Sequence, residues 1–271
     1  MPKNKGYTLA VTIPSKNSEK KIANCLASIA GWADEIIVLD SESTDRTAEI
    51  AKKYGAKVYV HPFLGSWAKE RNFGAEQAGS EWILSLDTDE VASDGFKAKC
   101  DEILPDTKCV AFKFWRKNFF LGRFLRYGGW YHKSQHLYKK GFAHYEGMLH
   151  EKYIVNGEVG DLDAEVLHYP FDTLSEFIER QNRYTSIQAQ EILLEEKDLN
   201  IKKIKYNITW KPLKLFKKMY LNKKGYKEGM HGFVFSMLFA WVHFLKWAKA
   251  WELYIHTKEK ESIANSRQST D

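Results

Sequence analysis

An α/β fold is predicted, with a doubly wound, mostly parallel sheet, helices on both of its faces, and a helical C-terminal extension. Three observations carry it. Through the first 90 residues, short apolar and β-branched runs alternate with segments of helical spacing. Three of those runs lead directly into polar clusters, the arrangement found where ligands bind at strand ends in open α/β sheets. Beyond residue 174 the pattern is helical.

The elements follow in order. Residues 7–13 (YTLAVTI) form a buried strand that stops at Pro14. Ser18 can cap the next helix, in which Ile22, Leu26 and Ile29 keep helical spacing. Residues 35–39 (EIIVL) form a second strand ending at Asp40, followed by a polar turn and a helix over 48–54. A third short strand covers 57–60, a helix continues over 71–78, and a fourth strand (82–86, WILSL) ends at Asp87. After residue 90 the pattern changes. Strands are expected at 110–115, 135–138, 152–155 and 165–167, with a Gly/aromatic loop, FFLGRFLRYGGWY, between the first two. The expected domains are a catalytic domain over 1–170, with a donor half (1–90) and an acceptor half (91–170), then a basic, aromatic helical extension over 171–258. The polar residues 259–271 are expected to be a disordered tail.

The chain has 271 residues, enough for one large α/β domain with an appendage, and 44% of them are hydrophobic, enough for a full core. Its formal charge of +6 is local: residues 201–250 hold twelve lysines, no arginine and one acid, Glu228. Such a segment attracts phosphates, of lipid or of nucleic acid. The three cysteines, Cys25, Cys100 and Cys109, have no metal-ligand spacing and fit a reducing compartment. The N-terminal stretch MPKNKGYTLAVTIPSKN does not read as a signal peptide, so a cytoplasmic protein is expected.

The sharpest chemical feature is SLDTDE. Asp87 and Asp89, just past a buried strand, can hold a hard divalent ion that bridges the phosphates of a nucleoside diphosphate. A surface acidic turn is the plainer reading of such a tripeptide, and the buried strand leading into it argues against that. Neither GxGxxG nor GxxxxGK[ST] occurs, so dinucleotide binding and P-loop chemistry have no local support.

The ordered series VTIPSKNSEKKIANCLASI, WADEIIVLDSESTDRTAEIAKKYGAKV and WAKERNFGAEQAGSEWILSLDTDE resembles the donor half of glycosyltransferase family 2, of GT-A fold. NFFLGRFLRYGGWY, EGMLHE and LHY continue the resemblance to the lipopolysaccharide-core β-1,4-glucosyltransferase subgroup, over roughly residues 7–250. The resemblance implies that Pro14, Asn17, Asp40 and Ser41 line the nucleobase and ribose pocket, that Arg71 sits near base or diphosphate, and that Asp87 and Asp89 flank metal and donor. His168 matches a position where a histidine can complete metal or diphosphate coordination, or serve a purely structural role. Glu151 occupies the place of the base carboxylate, with Asp161 and Asp163 as the alternatives. The implied reaction is inverting transfer of a hexose, glucose from UDP-glucose, with Mg²⁺ or Mn²⁺, to a lipid-linked saccharide such as a lipopolysaccharide inner core. Polyprenyl phosphate or protein acceptors, and a non-catalytic nucleotide-sugar binder, are the alternatives. One stretch departs from the pattern: GGWYHKSQHLY has Lys133 in place of an acid and His136 in place of an arginine, which bears on the acceptor.

Residues 229–245 (GMHGFVFSMLFAWVHFL) carry no Asp, Glu, Lys or Arg. That run is short for a spanning helix, so an in-plane or re-entrant helix is expected, with the preceding lysines on anionic lipid. The expected location is peripheral, on the inner face of the cytoplasmic membrane. Nucleic acid is not an expected partner, because the lysines are mixed with long aliphatic runs and no RNA-binding signature occurs.

Overall fold

The computed structural model describes residues 5–147, 152–195 and 199–268. By packing, the chain divides into two compact units: residues 1–118 with 131–170, and residues 119–130 with 171–271. The sequence-based boundary at residue 170 misses the transfer of 119–130 to the second unit.

In the first unit, strands β1 (Leu9–Ser15), β2 (Glu35–Asp40), β3 (Lys57–Val60) and β4 (Trp82–Ser85) lie in the order β3-β2-β1-β4, all parallel. The sheet continues through β8 (His132–Lys139), β6 (Ala111–Phe120), β11 (Val159–Phe171) and β5 (Glu90–Ala92), with β8 antiparallel to both β4 and β6 and β5 antiparallel to β11. It is therefore a mixed sheet in which β3, β2, β1 and β4 are parallel. Strand β1 does not stop at Pro14. Its pairing with β4 ends at Thr12, so the missing N–H of Pro14 costs no ladder bond on that side.

Side-chain alternation sorts two cores. Leu9, Val11 and Ile13 of β1 face one way, packed with Ile22, Leu26 and Ile29 of α1 (Ile22–Ile29) and with Phe96 and Cys100 of α4 (Asp94–Ile103). Ala10 faces the other way with Ile37, Leu39 and Ile83, under Ala68 of α3 (Trp67–Gln77). Helices thus cover both faces. The RNFG stretch of α3 shows how each residue is used. Arg71 turns to the site described below. Asn72 donates to the Tyr145 carbonyl at 2.8 Å and accepts from its N–H at 2.9 Å, fixing the ribbon of β9 (Ala143–Glu146) and β10 (Lys152–Val155). Gly74 lets the helix approach the sheet, where a Cβ would meet Leu39 Cδ1 at 2.9 Å.

The second unit is built from α5 (Leu174–Glu195), α6 (Ile201–Lys217) and α7 (Gly229–Gln268), with α7 packed against both α5 and α6. Helix α7 runs past residue 259, where the sequence suggested a disordered tail. The FFLGRFLRYGG segment belongs here. Gly128 and Gly129 both take positive φ, the Gly128 N–H donates to the Lys223 carbonyl, and Trp130 packs on Phe235 at 4.5 Å. Glu228, the single acid of the lysine-rich segment, is buried and accepts from the Tyr127 N–H at 2.9 Å. Among the described residues no helix is long and apolar enough to cross a membrane.

Candidate active site at the strand ends

The carboxyl ends of β2, β1 and β4 lie side by side, as the register of Asp40 against Ser15 and of Thr12 against Ser85 requires. Polar residues that follow those strands are thereby brought to one edge of the sheet. Asp40 and Ser41 are buried there, next to the buried Pro14. Asp40 Oδ2 accepts from the Ser43 N–H at 3.1 Å, whereas Asp40 Oδ1 and Ser41 Oγ are buried with no hydrogen-bond partner. Asn17 is exposed, in the left-handed region at φ 47°, and its Oδ1 accepts from the Thr44 N–H at 2.8 Å. It ties the loop after β1 to the loop after β2, so its amide oxygen is already engaged in shaping the pocket.

Next to these lies a dense charge cluster. Asp87 takes Arg71 Nη2 on Oδ1 at 2.7 Å and Arg116 Nη2 on Oδ2 at 2.8 Å. Arg116 Nε reaches Glu90 Oε1 at 2.7 Å, and Glu90 Oε2 accepts from the Asp87 N–H at 2.8 Å. Arg71 also donates to Ser85 Oγ at 2.6 Å. The Asp87 side chain is 36% exposed, yet its carboxyl is crowded by protein atoms. That crowding works to raise its pKa, and the two guanidiniums outweigh it, holding the carboxyl well below the usual range. Glu90 shifts the other way: burial raises it and the neighbouring Asp87 charge adds to the rise, against the pull of Arg116.

Strand β11 brings His168 to this cluster. His168 stands opposite Glu90 in the β5–β11 ladder, and the Tyr169 N–H donates to the Asp89 carbonyl at 2.8 Å. His168 Nε2 lies 3.4 Å from Asp89 Oδ1, and Nδ1 is 2.5 Å from Oδ1 of the buried Asn118. An amide oxygen accepts only, so Nδ1 carries a proton toward Asn118, which fixes the ring with its Nε2 edge toward Asp89.

His136 is also drawn in. Its ring stacks on Tyr145 and shares a 2.8 Å hydrogen bond with the Tyr145 hydroxyl, in the field of Arg71, Asp87 and Arg116. Burial, then the Arg71 guanidinium, push it down to about 3, so this departure from the family pattern places a neutral ring beside two cations.

The structure therefore gathers Arg71, Asp87, Asp89 and His168, with Pro14, Asp40 and Ser41 on neighbouring strand ends. Glu151 lies outside the described residues. Asp161 and Asp163 leave β11 on the side opposite His168, since Leu162, Ala164, Val166 and His168 form the buried alternate set. Sequence reasoning missed Arg116, Asn118, Glu90 and His136 as site residues. Arg116 and Asn118 share the buried side of β6 with Phe112 and Phe114, and an arginine in that position was the available signal.

Charged and polar groups converging at parallel strand ends define a site for phosphorylated ligands in an open α/β sheet. The glycosyl transferase family 2 model matches residues 10–156, more than half of the chain, and the protein belongs to that family of nucleotide-sugar transferases. It is 28% identical over 272 residues to an uncharacterized glycosyltransferase of Rickettsia felis, covering 95% of this chain and 94% of the relative. It is 24% identical over 254 residues to the lipopolysaccharide core biosynthesis glycosyltransferase LpsC of Rhizobium meliloti, covering 90% of this chain and 92% of LpsC. Among solved structures it is similar to glucosyl-3-phosphoglycerate synthase from Mycobacterium tuberculosis, with a TM-score of 0.36 and 23% identity over 41% of this chain and 44% of the other.

The depressed His136 gives a pH signature. Its folded value of about 3 lies below the 6.5 of an unperturbed histidine, so the unfolded chain binds a proton that the folded chain refuses. Stability is expected to fall as pH drops from about 6.5 toward about 3. Urea unfolding across that range should show a shallower acid-side loss in His136→Gln than in the wild type. Equal slopes would remove His136 as a cause.

Proposed function

We infer that this protein is an inverting hexosyltransferase that moves glucose from UDP-glucose to a lipid-linked saccharide of the lipopolysaccharide inner-core type. The observation that carries the reading is the convergence of Asp89, His168 and the Arg71–Asp87–Arg116 cluster beside two unpartnered buried oxygens at the strand ends. Near-full-length similarity to LpsC supports the acceptor class. The unpartnered Asp40 Oδ1 and Ser41 Oγ suit the donors and hydroxyls of a nucleobase and ribose, with Pro14 as an apolar edge and Asn17 holding the loop in shape.

A divalent ion fits part of this site. Among the described residues no group of three His, Cys, Asp or Glu side chains could hold one. Asp89 Oδ1 and His168 Nε2, 3.4 Å apart, would hold such an ion from the protein side. Mg²⁺ or Mn²⁺ bound there would supply Lewis-acid stabilisation to the departing diphosphate. Asp87 plays a different part, because both of its oxygens are held by guanidiniums; it orients Arg71 and Arg116, whose positive charge faces the place where phosphate would lie.

The inverting step needs a base for the acceptor hydroxyl. Glu151 remains the assignment, and the opposite orientation of Asp161 and Asp163 on β11 favours it over them. Membrane attachment is assigned to the second unit. Trp210 and Leu213 on α6 and Met230, Phe233, Met237, Phe244 and Trp251 on α7 are exposed, among the lysines of α6 and of the turn after it. Aromatic and aliphatic side chains interleaved with lysines are the composition of a surface that lies on anionic lipid.

Three outcomes are expected. In a screen of UDP- and GDP-sugars, transfer should stop on chelation and return with Mn²⁺ or Mg²⁺; Mn²⁺ binding followed by electron paramagnetic resonance should weaken about 10–100-fold in Asn118→Leu, which frees the His168 tautomer, and at least as much in His168→Ala. Unchanged Mn²⁺ affinity in both variants would take the ion away from His168. Glu151→Gln should bind donor normally and transfer about 10²–10⁴-fold more slowly, whereas normal turnover would move the base elsewhere. Full-length protein should bind vesicles rich in phosphatidylglycerol, with partial release by high salt and weaker binding when Lys214, Lys217, Lys218, Lys223 and Lys224 become Gln. Absence of vesicle binding at low salt would overturn the attachment.

A further inference from the structure

A cavity of about 330 Å³ in the first unit gathers side chains that the reaction above leaves unused. It is open to solvent and lined by Trp115, Tyr131, Asp163 and Glu165, with Ser93 and Gly95 at the start of α4. Trp115 and Tyr131 stack at 4.5 Å with their planes 16° apart. The Tyr131 hydroxyl donates to Glu165 Oε1 at 2.9 Å, and Lys117 Nζ lies 2.9 Å from Glu165 Oε2. Lys133 pairs with Asp161 at 2.7 Å, and its ammonium sits 5.1 Å from the Trp115 ring centre. The aromatic pair is thus braced on both sides, and two of the three carboxylates have their charge compensated. Asp163 differs: it is exposed and makes no hydrogen bond or ion pair among the described residues.

Ligand classes can be sorted by this chemistry. A phosphate or carboxylate would meet the uncompensated Asp163. A strong cation would find the single carboxylate of Asp163, because Lys117 and Lys133 already neutralise Glu165 and Asp161. A purely apolar ligand would desolvate carboxylates for no return. A neutral pyranose satisfies all of it: its C–H face lies on an aromatic ring, and adjacent hydroxyls donate to a carboxylate that accepts only. We propose that the Trp115–Tyr131–Asp163 cavity binds a neutral sugar of the acceptor saccharide, one other than the residue that reacts. Asp163 and His168 leave β11 on opposite sides, which separates this sugar from the strand-end site. The proposal rests on the reading of the enzyme as a saccharide-directed transferase, and it assigns Asp163 to acceptor binding in place of base catalysis.

The test uses full-length protein and saturation-transfer NMR with the methyl glycosides of glucose, galactose, mannose and glycero-manno-heptose, and with glucose 6-phosphate. At least one neutral glycoside should receive saturation and outcompete glucose 6-phosphate. Asp163→Asn, at an exposed position that leaves the fold intact, should weaken that binding about tenfold. Trp115→Ala should do the same or more, while Trp115→Phe retains binding because it keeps a ring. No transfer to any neutral glycoside, or equal affinity in Asp163→Asn and the wild type, overturns the proposal. UDP release from UDP-glucose by the wild type is measured in the same samples. Its absence from the wild type would remove the functional reading while leaving the saccharide-binding result to stand by itself.

Discussion

One carboxylate shared by two guanidiniums organises the strand-end site. Asp87 follows β4, Arg71 comes from α3, and Arg116 comes from β6 and reaches on to Glu90 at the start of β5. Four elements are thereby fixed at a single point. An interaction of this kind tolerates little editing. Removing one partner leaves the remaining charges without their compensation while part of their desolvation penalty stays. The opposite shifts of Asp87 and Glu90 show how the load is divided, with the carboxyl between two arginines held ionised and the one between an arginine and another acid pushed toward its neutral form.

On the neighbouring strand ends, two buried oxygens have no partner. Asp40 Oδ1 and Ser41 Oγ are buried and unpaired, whereas the ion-pair contacts of Asp87, Arg71, Arg116 and Glu90 lie at 2.7–2.8 Å. Each unpaired buried oxygen costs about 1–3 kcal/mol in the free protein. At the strand ends, these two open oxygens can recover that energy when a hydrogen-bonding ligand arrives. The neutral state of His136 serves the same balance, since a third cation beside Arg71 and Arg116 would work against both.

The donor side was legible in the sequence because it is local. Asp40, Ser41 and Asp87 lie just past the strands that position them, and alternating β-branched runs with helical segments mark a parallel sheet without long-range information. His168 was found only by resemblance, and its partner Asn118 was missed. Both depend on antiparallel strands distant in sequence, and on the register that sets His168 opposite Glu90. A one-residue slip would turn either side chain to the other face, and nothing in the local pattern fixes that register. The same reason hid Arg116. Asp161 and Asp163 stood as alternatives to Glu151 along the chain, and the pleat of β11 turns them to the side opposite His168.

The uncharged run over residues 229–245 shows why composition alone overstates membrane depth. Helix α7 splits its large side chains between two environments. Phe235 and Trp247 are buried within the second unit, while Met230, Phe233, Met237, Phe244 and Trp251 are exposed at spacings of three, four and seven residues. That spacing is one stripe of a helix, and the buried set forms another. A helix that must keep Phe235 against Phe120, Trp130 and Phe239 cannot be surrounded by lipid without dismantling its own core. In the proposed attachment the exposed stripe would enter the interface, and the lysines of α6 would supply the attraction. Burial of the lone acid, Glu228, beneath the Tyr127 N–H keeps the one opposing charge off that surface, so its charge is all of one sign over residues 201–250.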